Sequence, residues 1–423
     1  MYDLIVAGAG PAGLMAAKTA AEDGMKVLLL ERKREISRIT RDCAQVFYVA
    51  DLTFDRLIRK FKPLSNGYIE PVAVEVLLNK CRFHFLVPGF TVDYSGPLRA
   101  YYNKIHLSPG GHKIFLYPPN ERLWGFFFDK ETFNATLLAG AVKAGTEVVN
   151  ETLVLGAANV NRRVEVLTEH NSKSIYFKAR HLIAAEGRAS RIVESLGLNK
   201  ERITRKPRHR LSFIMEGIEA PYTDNSYFAC IVPSISPTGN IGLCLNTNGR
   251  NRLGVGSSSD KPPAAILEEF MKLPAYRPWF AHARIVSKLA DGSVWRAPIR
   301  DPVIGNVIIA GDAGGPETWI QGAVACGYQA VKAIEKEMSG QKGFAHYTTW
   351  WQNAFQFNKK KTFGTPAERP YPLDRVNSDE EVDFLFKLCE GKIGPSSLVI
   401  GDNLEAVKET RPELYSRLKR SEH

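Results

Sequence analysis

Tyr2-Asp-Leu-Ile-Val-Ala-Gly8-Ala-Gly10-Pro11-Ala12-Gly13, an Ala-rich run from Leu14 to Glu22, Gly24, and Met25-Lys-Val-Leu-Leu-Leu-Glu31 open the chain. The two short apolar runs predict buried parallel strands, and the Ala-rich run between them predicts a helix stopped by Gly24. Each glycine of the turn has a separate job. Gly8 permits the tight turn out of the first strand, Gly10 lets a pyrophosphate approach the backbone, and Gly13 lets helix and strand pack closely. The helix start, entered through Pro11 and Ala12, offers N–H groups and a positive dipole end to phosphate. Glu31 closes the second strand, where a carboxylate accepts from the ribose hydroxyls of an adenosine and repels a 2′-phosphate. Strand, glycine turn, helix and acidic strand end in one βαβ length point to a dinucleotide, FAD or NAD and not NADP.

Bulk properties set the frame. The chain has 423 residues, 44% hydrophobic and 24% charged, which is ordinary globular composition. No run approaches the ~18 uninterrupted apolar residues of a spanning helix, and the start has no secretory pattern, so the expected compartment is cytoplasmic. Six scattered cysteines (Cys43, Cys81, Cys230, Cys244, Cys326, Cys389) form no C-x-x-C pair, so no metal site is expected. The net charge of +11 suits a basic soluble surface, anionic lipid headgroups, an acidic electron carrier or an anionic substrate. Nucleic acid ranks below these and is not expected as a partner, because Lys and Arg are dispersed and no nucleic-acid motif is present.

Three further segments resemble a known flavoprotein class. Val307-Ile-Ile-Ala-Gly311-Asp312-Ala-Gly precedes a small-residue helix running from Ile320 to Ile334. It resembles the second FAD fingerprint of the class that includes p-hydroxybenzoate hydroxylase and the geranylgeranyl reductases. There the aspartate bonds a ribityl hydroxyl and the helix start faces the flavin N1–C2=O edge. Leu182-Ile-Ala-Ala-Glu186-Gly187 resembles the middle motif, with Glu186 for the usual Asp, one methylene longer. Asp129-Lys130-Glu-Thr-Phe133 opens a helix to Ala144, followed by the strand 146–149. It resembles the helix over the adenine half of FAD, with Lys130 for the usual Arg and Val154 nearby for adenine contacts. Taken in this order over residues 1 to about 340, the motifs imply FAD. Gly254-Val-Gly256 fails the strand-then-helix test, so there is no second dinucleotide fold.

Within that class the chain is similar to the geranylgeranyl reductases as a divergent member. Arg41 and Cys43 stand where those proteins carry an Arg and the Cys of a Cys-Gly motif beside the isoalloxazine, while Ala44-Gln45-Val46 replaces their glycine-rich run. The resemblance makes Cys43 the candidate catalytic residue, a proton donor or flavin modulator; the alternative is a small packed thiol. It also implies cofactor contacts from Arg32, Arg41, Cys43, Ala44, Gly187, Gly311, Trp319 and Ile320. The loop after Asp312 is shorter than the reductases' glycine-rich one, and Trp319 in it either stacks on the ring, gates it or packs. Tyr227 to Ser234 resembles a strand motif lining their substrate cavity, with Cys230 and Val232 in place of Trp and Phe. Aromatics crowd between Phe83 and Phe133. Most of them read as half-buried strands of the substrate domain's sheet, and an apolar tunnel for the substrate is the second reading.

The expected fold is α/β. A Rossmann-type FAD-binding domain (1–81, 119–205, 290–340) interleaves with a mixed α+β substrate domain (82–118, 206–289). A helical C-terminal region (341–423) follows, with the aromatic-then-basic stretch Trp350 to Lys361, a linker Pro366–Pro372, and amphipathic runs at 378–389 and 402–418. The expected activity is reduction, or oxidation when run backwards, of a carbon–carbon bond in an isoprenoid, lipid-like or alicyclic substrate by hydride transfer at flavin N5. The expected partners are a small hydrophobic substrate and an electron donor, either a ferredoxin-like carrier or NAD(P)H, with peripheral membrane contact as a second reading of the basic charge. An aromatic-ring monooxygenase of the same fold is the alternative, and a flavin-binding protein without turnover ranks behind it.

Overall fold

The computed structural model describes residues 1–49, 68, 70–121, 123–204, 207–221, 225–237, 239–245, 250–294, 296–316, 318–355 and 372–419. The expected basic run Lys359–Lys361, Phe357 and residues 366–371 of the expected linker lie outside them.

The N-terminal strand Tyr2–Ala7 buries Leu4 to Ala7 without interruption, because Leu4 and Val6 face helices while Ile5 and Ala7 face Val154, Val164 and Val166 of a neighbouring meander and Ile192 and Val193 of a short helix. It lies between Val27–Leu30 and Lys173–Ala184, parallel to both, and Glu147–Val149 extends the sheet beyond Val27–Leu30. The strand Lys173–Ala184 serves twice. Its last residues pair in parallel with Val307–Ile309, with Ala184 opposite Ile309, while its earlier part closes an antiparallel meander with Arg163–His170 and Thr152–Val160. All the fingerprint turns therefore leave the same end of one sheet.

Helices Pro11–Glu22, Lys130–Lys143 and Trp319–Met338 pack on this sheet. Asp129 caps the second by accepting from Thr132 N–H at 2.6 Å. The first and third cross so closely that a Cβ on Gly327 would stand 2.1 Å from the Ala12 carbonyl oxygen. Helix Gly343–Ala354 follows, and its buried Tyr347 and Trp351 donate to the carbonyls of Ile309 and Ile299.

A second, seven-stranded sheet runs in the order 284–293, 208–216, 251–257, 241–245, 226–230, 103–107, 113–115. One face carries Ile105, Phe213, Phe228, Cys230, Leu243 and Leu253 against helix Pro263–Phe270. Two corrections to the expected partition follow. Arg284–Ser293 pairs along its length with Arg208–Glu216, so the sheet runs past the expected edge at 289. Cys81–Phe85 and Phe90–Tyr94 do not join it. They form a separate sheet with Val72–Val76, and Phe83, Phe85 and Tyr94 pack with Phe47, Phe128 and Phe133 in the core of the first helices. Burying their aromatic face there removes apolar surface that the other sheet, already covered by its own helix, could not cover.

The small sheet 46–48, 125–128, 98–101 links the two halves. At the C-terminal end, helices Asp379–Leu388, Ser396–Gly401, Leu404–Thr410 and Pro412–Lys419 form their own apolar cluster with Ile114 and Ile231. The amphipathic run 402–418 forms two helices, divided at Arg411-Pro412, where proline has no N–H to continue the ladder. None of the described helices is long and apolar enough to cross a membrane.

Candidate active site

The strand ends meet at a cavity of about 630 Å³, within the usual range of ligand sites. It gathers residues from all the sequence motifs: Gly8, Gly10, Pro11 and Ala12; Glu31 and Arg32; Arg41, Cys43 and Ala44; Lys130; Val154; Gly187; and Gly311, Asp312, Trp319 and Ile320. Gly13 is the exception among the expected cofactor-binding residues. It sits beneath the turn, where a Cβ would fall 1.8 Å from the Gly8 carbonyl oxygen, so its role is packing and not lining. Gly8 itself has φ +93° and abuts the Ala185–Glu186 backbone, which ties the first fingerprint to the middle motif. A Cβ on Gly10 would meet nothing within 4 Å, leaving the approach to the backbone open.

Glu31 is almost fully buried. Its carboxylate accepts from Ala9 N–H at 2.7 Å and Lys33 N–H at 3.0 Å, one bond per oxygen, so each oxygen keeps a lone pair for a ribose hydroxyl. Asp312 has two roles. Its Oδ1 accepts from the Thr318 hydroxyl (2.6 Å) and N–H (3.2 Å), fixing the short loop into the Trp319 helix, and its Oδ2 lies 3.6 Å from Arg188 Nε. Trp319 is left-handed at φ 53° and lies beside the Tyr48 ring, centroids 5.0 Å apart, in the cavity wall.

Glu186 turns away from the role of the usual aspartate. It accepts from Ser190 Oγ at 2.5 Å and Arg191 N–H at 3.1 Å, and burial pushes its carboxyl up to about 7 against these bonds. The extra methylene reaches the start of helix Arg191–Ser195, and Gly187 at φ +80° lines the cavity beside Arg41. Cys230 and Val232 do not line the cavity. Cys230, at the end of strand Ser226–Cys230, and Val232 just beyond it both pack in the helix-covered core, and burial pushes the Cys230 thiol up.

Cys43 is the one cysteine that is not buried. Its sulfur lies 3.4 Å from Gln45 N, which donates to it, and 4.0 Å from Lys130 Nζ. Lys33 is held below the ordinary lysine range, first by burial, with Lys130 and Arg32 adding to it against Glu31. Sequence reasoning passed over Asp42, Gln45, Arg188, Arg210 and Thr318. Asp42, Gln45 and Arg188 lie inside quoted motifs and were legible by adjacency; Arg210 carries no local signal and enters through sheet pairing.

The wall suits FAD. Eight lining cations (Arg32, Lys33, Arg38, Arg41, Lys130, Arg188, Arg191 and Arg210) outnumber the five lining carboxylates (Glu31, Asp42, Glu186, Asp291 and Asp312), as an anionic pyrophosphate needs. Asn134, on the helix expected over the adenine, contributes a buried Oδ1 without a partner among the described residues, an acceptor available to a ligand.

Comparison with known proteins agrees. A family profile described as FAD binding domain matches residues 3–45. A digeranylgeranylglycerophospholipid reductase of Methanococcus vannielii is 24% identical over 387 residues, covering 90% of this chain and 88% of the relative. In structure, a geranylgeranyl bacteriochlorophyll reductase-like protein from Thermoplasma acidophilum superposes with TM-score 0.69 at 20% identity, over 99% of this chain and 98% of the other. The p-nitrophenol 4-monooxygenase of Pseudomonas putida gives TM-score 0.62 at 15% identity, over 99% and 98%. Fold and site together define an FAD-dependent oxidoreductase. Within that class the chain is geranylgeranyl reductase-like, and divergent from the proteins it resembles.

Proposed function

We propose that the chain reduces a carbon–carbon double bond of an isoprenoid or other lipid-like substrate. The observation that carries the reading is the joining of both flavin fingerprints and Cys43 in one cavity wall. Bound and reduced, FAD supplies a hydride at N5. Glu31 and the Gly8–Pro11 turn would hold the adenosine and pyrophosphate end, Asp312 and the Trp319 helix start would hold the flavin end, and Cys43 would give a proton to the second carbon. The direction is reversible in principle, and an alicyclic substrate fits the same chemistry.

The near full-length match to a reductase named for digeranylgeranylglycerophospholipid supports a hydrophobic isoprenoid substrate. The electron donor is a low-potential carrier or NAD(P)H bound without a Rossmann domain of its own. The test is anaerobic incubation of dithionite-reduced protein with an unsaturated isoprenoid glycerolipid, read by mass spectrometry. Gain of two hydrogens per double bond is expected. Dioxygen-dependent insertion of oxygen into an aromatic substrate, with no hydrogenation, would establish the monooxygenase alternative instead.

A further inference from the structure

Asp42, between Arg41 and Cys43, does not join the flavin half of the molecule. Its carboxylate crosses to the seven-stranded sheet, where Oδ1 accepts from Ser212 Oγ at 2.5 Å and Arg252 Nε at 2.9 Å, and Oδ2 accepts from Arg252 Nη2 at 2.6 Å. The pair is bidentate and nearly dry, with side-chain exposures of 4% for Asp42 and 10% for Arg252. Burial pushes the Asp42 carboxyl up, but Arg252, Ser212 and Arg210 together outweigh burial and hold it below the ordinary range.

The sheet is shaped to receive the pair. A Cβ on Gly254 would stand 2.3 Å from Ser212 Oγ and 2.7 Å from Arg252 Nη2, and one on Gly242, directly opposite Gly254, would stand 2.4 Å from the Tyr227 hydroxyl. Within Gly254-Val-Gly256, Gly254 thus clears space for the ion pair, while Gly256 makes room for the Arg208 and Arg210 side chains. Breaking a buried pair strands a charge, so such a pair fixes geometry more than it adds stability.

We propose that Asp42, clamped by Arg252 and Ser212, is a positioning residue. It fixes Cys43 and Ala44 in the cavity wall and couples the seven-stranded sheet to the flavin site. The proposal rests on the reading of residues 41–45 as part of that site. Because the other five cysteines are buried, alkylation of the native FAD-loaded protein by iodoacetamide reports on Cys43. In D42N/R252Q, which removes both charges together, the expected result is alkylation about tenfold faster with an altered pH profile. Reoxidation of the reduced protein by an unsaturated isoprenoid lipid should be about tenfold slower, and FAD affinity should hold within about threefold. S212A and R252K, which keep the charges paired, should shift alkylation in the same direction by less. A folded double variant with parental alkylation and reoxidation overturns the proposal. If the double variant does not fold, parental alkylation in both S212A and R252K does so. Full turnover in C43A alongside altered alkylation in D42N/R252Q would end the proton-donor reading of Cys43 and leave the positioning role standing.

Discussion

Lys130 Nζ lies 4.0 Å from Cys43 Sγ, so a helix expected to serve the adenine half of the cofactor also places a cation beside the candidate acid. Lys130 Nζ thus donates to the sulfur alongside the Gln45 N–H. Lys130→Met should slow iodoacetamide alkylation of Cys43 several-fold at pH 7.5, and bound FAD, which shares the wall, should protect the thiol in the parent protein. Equal rates in parent and variant would remove Lys130 from any role at the sulfur.

Two glycines within six residues of the first strand should fail differently. Gly13→Ala forces a Cβ against the Gly8 carbonyl, a backbone contact that cannot give way, and is expected to cost at least about 3 kcal/mol by denaturant unfolding. Gly10→Ala projects into open cavity at an ordinary extended backbone, so stability should change by less than about 1 kcal/mol while FAD retention falls sharply. Comparison of urea midpoints with flavin content after gel filtration separates the two.

The raised pKa of Glu186 makes stability depend on pH. Burial lifts its carboxyl to about 7 from an ordinary 4.5, so between these values the folded state binds more protons than the unfolded state. Stability then falls as pH rises from about 4.5 to about 7, by at most about 3 kcal/mol. Glu186→Gln keeps an acceptor for the Arg191 N–H, and the Ser190 hydroxyl can rotate to accept from the new amide. Urea unfolding at pH 5 and pH 8 should show a smaller pH difference in the variant. An unchanged difference would assign it to other groups.

Trp319 combines a left-handed backbone with a place in the cavity wall. Trp319→Gly relieves about 1 kcal/mol of backbone strain but removes a ring packed on Tyr48. Bound flavin should fluoresce more brightly in the variant if the indole quenches it, and thermal stability should change little. A large loss of stability with unchanged fluorescence would make Trp319 a packing residue.

The sequence alone determined the Rossmann unit and most of the cavity wall, because these depend on local chemistry, and its resemblance to a flavoprotein class supplied the FAD assignment. A strand that is buried on both faces reads as an apolar run, a turn with φ +93° at Gly8 demands glycine, and a carboxylate at a strand end sits two residues from the N–H it accepts. Tertiary structure decided what depends on partners far along the chain. The sequence could not say that Asp42 pairs with Arg252, 210 residues away, or that Gly254 is small because of that pair. Nor could it say that Cys230 faces a helix-covered core, or that Phe83 and Tyr94 join the flavin half. Strand alternation shows that two faces differ; only packing decides which face meets the ligand.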